Sequence, residues 1–179
     1  CTTISKMCGS GMKAAMLAHD LIIAGSNNIM VAGGMESMTN APYLLPKARG
    51  GMRLGHQQVI DHMFLDGLED AYDKGRLMGT FAEDCAGKYE FTRAAQDEFA
   101  IASLTRALKA THDGSFAKEI ASIATKAGKQ DVTIAQDEQP LTAKPEKIPT
   151  LKPAFRKDGT VTPANSSSIS DGAAALVFM

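Results

Sequence analysis

The sequence predicts an α/β fold, in which a layered core is interrupted by a long inserted segment. Three observations predict it. A short Thr- and Ile-containing run turns at Cys8-Gly9-Ser10-Gly11 into a helical stretch, and an apolar run follows; strand, turn, helix, strand is one layer-crossing unit. Residues 39–160 then depart from that pattern over about 120 residues, far beyond an ordinary sheet connection. Finally, Ala173-Ala174-Ala175-Leu176-Val177-Phe178-Met179 is a second apolar run with the length of a buried strand.

The elements follow in order. Residues 1–7 are expected to form a buried strand. Residues 12–24 are expected to be helical, with Met12, Ala15, Met16, Ala18 and Ile22 on one apolar side. Gly25 is the expected stop. Residues 28–32 are expected to form a buried strand running into Gly33-Gly34, parallel to the first. Residues 39–58, rich in Pro, Gly, Arg and Lys, have no period and are expected to be loop. A short helix is expected at 61–68 and a longer one at 78–91. Thr92 is placed to cap a helix over 93–110. Along it Phe99, Leu104 and Leu108 lie near one side, and Ala95, Ala100 and Ala107 allow close packing. Gly114 ends that unit. Short strands are expected at 120–125 and 131–135, then an irregular connection over 136–156 marked by Pro140, Pro145, Pro149 and Pro153. Residues 160–163 are expected to be extended, and Asn165-Ser166-Ser167-Ser168 to form a polar loop before the last strand. No internal repeat or low-complexity tract is present.

Composition excludes several classes of function. The 179 residues carry a net charge of -1, with 44% hydrophobic and 22% charged residues. Nothing there favours a nucleic-acid partner or an anionic membrane, and no apolar stretch approaches the length of a bilayer span. The three cysteines, Cys1, Cys8 and Cys85, form no C-x-x-C pair, and no His stands at zinc-ligand spacing from them. Neither a disulfide framework nor a metal site is expected, and reduced thiols point to a cytoplasmic protein. Beginning on Cys1 and ending inside an apolar run, the chain has the look of a segment cut at both ends.

Cys8 carries the strongest chemical signal. It stands between an expected strand and an expected helix, and is followed by Gly-Ser-Gly. A helix N-terminus exposes unpaired N–H groups and a partial positive charge, which favour the thiolate over the thiol. Gly9 and Gly11 let a substrate approach the backbone, where free N–H groups can hold an oxyanion. The alternative is a buried structural cysteine before a glycine turn. The run matches neither G-x-G-x-x-G nor G-x-x-x-x-G-K-[ST], so a dinucleotide or P-loop site is not expected.

Cys8-Gly9-Ser10-Gly11-Met12-Lys13-Ala14 and Val31-Ala32-Gly33-Gly34-Met35-Glu36-Ser37-Met38 resemble the core of the thiolases, in particular the acetyl-CoA acetyltransferases. The same resemblance covers Arg49-Gly50-Gly51, Asp66-Gly67-Leu68, Met78-Gly79-Thr80, Ala82-Glu83 and Gln96-Asp97. It continues through Leu151-Lys152-Pro153-Ala154-Phe155, Gly159-Thr160-Val161-Thr162, Asn165 and Asp171-Gly172-Ala173-Ala174-Ala175. It implies a layered αβαβα core, of which this chain carries part of the first half, with an inserted α/β loop domain. Residues 1–38 would belong to the core, 39–160 to the loop domain covering the coenzyme A site, and 161–179 to the return into the core.

The resemblance further implies that Cys8 takes an acyl group from acyl-CoA as a thioester. A second acetyl-CoA then condenses with it to give acetoacetyl-CoA, or the reverse thiolysis occurs, with ping-pong kinetics. Leu68, Met78 and Phe155 would line the pantetheine and adenine channel, and Ser166 and Ser167 would touch the pantetheine amides. Core packing for the first three and a solvated loop for the serines are the alternatives. The substrates are CoA thioesters, with no separate cofactor. A homotetramer or homodimer, a cytoplasmic location and a place in fatty acid metabolism are implied in the same way.

Two departures from the family touch CoA recognition: Leu77 stands where many members have His, and Pro140 stands in a stretch that often carries a basic residue, with Lys144 nearby. The Gly-His-Pro, Cys-x-Gly-Gly-Gly and Asn-Glu-Ala-Phe segments that complete the family's site do not occur in this chain. The segment alone is therefore expected to be inactive. His56 and His62 fall in a stretch resembling the family's tetramerisation loop, together with Lys47, Arg49 and Arg53. His19 and His112 are expected at the surface or in packing, Cys1 and Cys85 in structural roles, and Glu36 at a turn. The rival reading is a non-catalytic thiolase-like lipid-binding or scaffold protein, and Cys8 argues against it.

Overall fold

A computed structural model describes residues 1–179. In chain order the elements are α1 (Ser10–Ile23), β1 (Met30–Glu36), β2 (Tyr43–Leu44), β3 (Ile60–Asp61), α2 (Met78–Lys88), α3 (Arg93–His112), β4 (Ile123–Ala127), β5 (Gln130–Ile134), α4 (Glu138–Thr142) and β6 (Gly172–Phe178). Short 3-10 turns occupy Met38–Asn40 and Pro145–Thr150, and a π-helical turn occupies Phe64–Leu68. The chain forms two compact units, Cys1–Met78 with Ser168–Met179, and Gly79–Ser167.

In the first unit α1 packs on an antiparallel pair of strands. β1 and β6 run in register from Met30↔Phe178 to Glu36↔Gly172. At Gly33 a side chain would meet the carbonyl of Ala174 on the neighbouring strand, so the ladder passes through a glycine where the backbones come close. α1 ends in a Schellman arrangement: the Gly25 N–H donates to the Ile22 carbonyl and the Ser26 N–H to the Leu21 carbonyl, each at 2.9 Å. Ala18 of α1 and Ala32 of β1 are the buried apolar residues of this unit, and small side chains there let helix and ladder approach. Asp171, just before β6, accepts the Thr39 N–H at 2.9 Å and the Ser37 hydroxyl at 3.4 Å, which fastens the chain leaving β1.

Several expectations for this region are corrected. Residues 1–5 form no strand, because no neighbouring strand supplies a hydrogen-bonding ladder. The strand that pairs with β1 is the C-terminal one, and the pairing is antiparallel rather than parallel. Neither β1 nor β6 is buried along its length: Val31, Met35, Leu176 and Val177 are all exposed. Met12 and Met16, expected on the packed side of α1, are exposed too, and Ala18 makes the contact. The helix is apolar around most of its circumference, so periodicity does not single out the face that meets the sheet.

In the second unit α2, α3 and the segment 144–166 surround a small polar-rich core. Ala86, Ile148 and Val161 are its buried apolar residues, with Glu83, Asp97 and Thr162 buried beside them. Thr92 caps α3 as expected, its hydroxyl accepting the Ala95 N–H at 3.2 Å. Phe99, placed by the sequence on the packed side of α3, is exposed, and so is Ala95. The inward stripe keeps the expected Ala100, Leu104 and Leu108 and also passes through Gln96, Asp97 and Ile101. The side is set by polar residues whose partners lie far along the chain, and an apolar count misses them. β4 and β5 form a hairpin closed by Gly128-Lys129; β4 lies a few residues later than the expected strand at 120–125, and β5 matches the expected 131–135 to within one residue. No helix is long and apolar enough to cross a membrane.

Candidate active site

Cys8 is exposed and stands two residues before the first residue of α1. The turn that presents it is tightly bonded: the Gly9 N–H donates to the Lys6 carbonyl and the Ser10 N–H to the Met7 carbonyl, each at 3.0 Å. Met7 adopts φ 50°, a left-handed conformation disfavoured for a residue with a Cβ. The chain thus reverses sharply just before the thiol, and the helix begins just after it. The N-cap residue is Gly9, and no side chain caps the start of α1. The N–H groups of an uncapped helix start suit a developing oxyanion. The buried-cysteine alternative does not fit an exposed sulfur.

Leu68 and Met78 lie in the same unit as Cys8. Leu68 ends the π-helical turn and is half-buried, and Met78 opens α2 and is 40% exposed. His62 and Asp66 face each other across this turn at 3.6 Å. Phe155, Ser166 and Ser167 belong to the second unit. Phe155 lies against Gly79: a side chain at position 79 would strike the phenyl ring. Gly79 is therefore the residue that seats the ring.

The serine loop is held by a buried polar network. Arg93 Nε donates to Asp97 Oδ2 at 2.7 Å, and the same guanidinium donates to the carbonyls of Ile148 and Leu151 at 3.0 and 2.9 Å. The Asn165 amide donates to Asp97 Oδ1 at 3.2 Å and to the Thr160 carbonyl at 3.0 Å, while its Oδ1 accepts the Thr162 N–H at 2.7 Å. Glu83 accepts the N–H groups of Thr160 and Val161, each at 2.9 Å, and the Thr160 hydroxyl. Burial alone would push the Glu83 carboxyl up, but these donors and the charge of Arg156 outweigh it and hold it below its ordinary value. At the end of this chain of bonds the Ser166 hydroxyl donates to the Thr162 carbonyl at 2.7 Å. Its one proton is thereby committed, and its lone pairs are left to accept from a ligand N–H. Ser167 is exposed beside it.

The profile of the thiolase N-terminal domain matches residues 1–179. The chain belongs to the thiolase family. Its full length aligns at 44% identity with an acetyl-CoA acetyltransferase of Schizosaccharomyces pombe, covering 46% of that protein, and at 49% with acetyl-CoA acetyltransferase 1 of Arabidopsis thaliana, covering 44%. A crystal structure of the Acat5 thiolase of Ascaris suum in complex with coenzyme A superimposes on 99% of the chain with a TM-score of 0.88, at 42% identity and over 44% of that protein. An acetyl-CoA acetyltransferase structure from Syntrophomonas wolfei superimposes on 98%, also at 0.88, with 44% identity. The thiolase chain spans under half the length of the curated relatives it matches. The expected α/β thiolase-like fold is confirmed by these neighbours.

Other residues of the thiolase chain are placed as follows. No group of three or more His, Cys, Asp and Glu side chains comes together as a metal site would require. Cys1 and Cys85, expected in structural roles, are both exposed thiols. His19 is exposed and pairs with Asp20 at 3.2 Å. Gly79 and Arg93 received no role from sequence, and neither did the Asp97–Asn165 link. A glycine in the first turn of a helix was the one available signal for Gly79. Nothing linear connects Asp97 to a loop 68 residues away.

Proposed function

We propose that this chain is the nucleophile-bearing part of an acetyl-CoA C-acetyltransferase. The observation that carries the reading is an exposed Cys8 on a bonded turn at the uncapped start of α1, in a chain of the thiolase family. The Cys8 thiolate attacks the carbonyl carbon of acetyl-CoA. The tetrahedral oxyanion collapses, the C–S bond to CoA breaks, and CoA leaves as its thiol after taking up a proton. Thioester exchange between two thiols is nearly balanced in energy, so the acyl group is neither trapped nor hard to load. A second acetyl-CoA gives up a methyl proton. Its carbanion attacks the acetyl-Cys8 carbonyl, the bond to Cys8 breaks, and acetoacetyl-CoA is released. In reverse, CoA thiol cleaves a 3-ketoacyl-CoA.

Within this proposal Leu68, Met78 and Phe155 line the channel for the pantetheine and adenine, and Ser166 and Ser167 meet the pantetheine amides. Residues 39–160 serve as the loop domain over that channel, between core segments 1–38 and 161–179. The acyl group arrives already activated as a thioester, so no further cofactor is required. The base and the second cysteine of the reaction come from the family's second-half segments, which do not occur in this chain. The activity belongs to the whole protein, and the segment alone is inactive. A homotetramer or homodimer in the cytoplasm, acting in fatty acid metabolism, completes the reading.

The test is to incubate the full-length protein with radiolabelled acetyl-CoA, quench it in acid and locate the label by peptide mass. Acetylation of Cys8, absent in Cys8→Ala, supports the proposal. An acyl-enzyme that persists in Cys8→Ala sinks it.

A further inference from the structure

Building on Cys8 as the nucleophile, we propose that Ser10 is a positioning residue whose hydroxyl holds the turn that presents Cys8. Two bonds carry this. The Lys6 N–H donates to Ser10 Oγ at 2.8 Å, and Ser10 Oγ donates to the Met7 carbonyl at 2.7 Å. One hydroxyl thus grips both residues that precede the cysteine, on either side of the Met7 reversal. The backbone bonds from Gly9 to Lys6 and from Ser10 to Met7 close the same turn.

The grip matters because Met7 lies at φ 50°. A residue with a Cβ leaves that region when nothing holds it. Cys8 is the next residue, so relaxation of Met7 swings the Cys8 Cα–Cβ bond away from the helix start. The N-cap residue of α1 is Gly9, which has no side chain to cap the helix, and Ser10 is the first helical residue, its hydroxyl bonded backward to the Met7 carbonyl. The clamp therefore acts on the turn that carries Cys8, and alanine at position 10 removes it.

The test compares Ser10→Ala and Ser10→Thr in the full-length protein. It reads the rate of iodoacetamide labelling at the Cys8 peptide, kcat and KM for acetyl-CoA, and the melting temperature. Exposed Cys1 and Cys85 serve as internal references for labelling. Ser10→Ala is expected to slow Cys8 labelling and to lower kcat by about tenfold or more, with KM within about twofold, as misalignment of a reacting group does. Ser10→Thr, which keeps the hydroxyl, is expected to restore both. Parent-like labelling and kcat in Ser10→Ala overturn the proposal. So does a shared loss of melting temperature and rate that Ser10→Thr fails to restore. Should Ser10→Ala not fold, Met7→Gly is added, since glycine adopts a left-handed φ without a clamp. Recovery of folding and Cys8 labelling then supports the proposal, and no recovery overturns it. Cys8→Ala run in parallel separates the two claims. Acyl-enzyme formed by Cys8→Ala removes the nucleophile reading itself, whereas an inert Cys8→Ala with a parent-like Ser10→Ala removes the clamp alone.

Discussion

Asp97 Oδ1 accepts the side-chain amide of Asn165 at 3.2 Å, and this contact ties the middle of the second unit to the residue preceding the serine loop. Asp97 is buried and its other oxygen takes Arg93 at 2.7 Å. The carboxylate therefore joins a guanidinium that fixes the 148–151 carbonyls to an amide that fixes residues 160–162. Asp97→Ala leaves the guanidinium and the amide without their shared acceptor. A loss of about 2–3 kcal/mol is expected from breaking charge-assisted bonds in a buried place. A urea midpoint unchanged from the parent would contradict it.

Asn165→Ala acts further along the same chain of bonds. It frees the Thr162 N–H and loosens the turn on which Ser166 sits. In the full-length protein KM for acetyl-CoA is expected to rise about tenfold while kcat changes little, the pattern of lost uniform binding. Steady-state kinetics decide it; a fall in kcat at constant KM would place the effect elsewhere.

Glu83 makes folding sensitive to acid. Its carboxyl lies below the ordinary value in the folded chain because burial, which raises it, is outweighed by donors from Thr160 and Val161 and by Arg156. A depressed folded pKa means that the contribution is complete above the unfolded value of roughly 4.3 and is lost as pH falls through the folded value. Urea midpoints measured from pH 7 down to pH 3 are expected to drop below about pH 4.5, and less steeply in Glu83→Gln. That variant also sets an NH2 group against backbone N–H donors, at a cost of about 2 kcal/mol at pH 7.

Gly79→Ala tests the seat of Phe155. The added methyl meets the phenyl ring at once, and overfilling of this kind costs about 1–3 kcal/mol. Displacement of the ring is expected to raise KM for acetyl-CoA in the full-length protein. A variant as stable as the parent, with unchanged KM, would show that the ring moves aside freely.

Met7→Gly probes the strained turn from the other direction. Met7 is exposed and left-handed, so removing its Cβ relieves a backbone penalty while losing little packing. A gain of about 0.5–1 kcal/mol is expected, since the left-handed penalty exceeds the entropy cost of glycine. A drop in melting temperature would contradict it.

Much of the local structure was legible along the chain. Thr92 capped α3 and Gly25 stopped α1 where expected, because a cap or a stop depends on residues within one turn of it. Cys8 was legible for the same reason: the turn, the thiol and the helix start are consecutive. The side of α1 that packs was not, since Met12 and Met16 are as apolar as the alanines beside them, and burial depends on what lies opposite. Phe99 was misplaced because apolar character suggested an inward side, whereas Asp97 and Gln96 define it through partners at Asn165 and Thr160.

By itself the sequence determined the turn that carries Cys8, the stop at Gly25, the cap at Thr92 and the family, all of which rest on short-range chemistry or on ordered motifs. Tertiary structure alone decided the antiparallel partnership of β1 with β6, the seating of Phe155 on Gly79, and the bonds that hold Asn165 and Ser166. The physical reason is range. A cap or a turn is satisfied by its neighbours, but a ladder hydrogen bond, a close ring contact or a buried carboxylate is satisfied by atoms distant in the chain, and only folding chooses them.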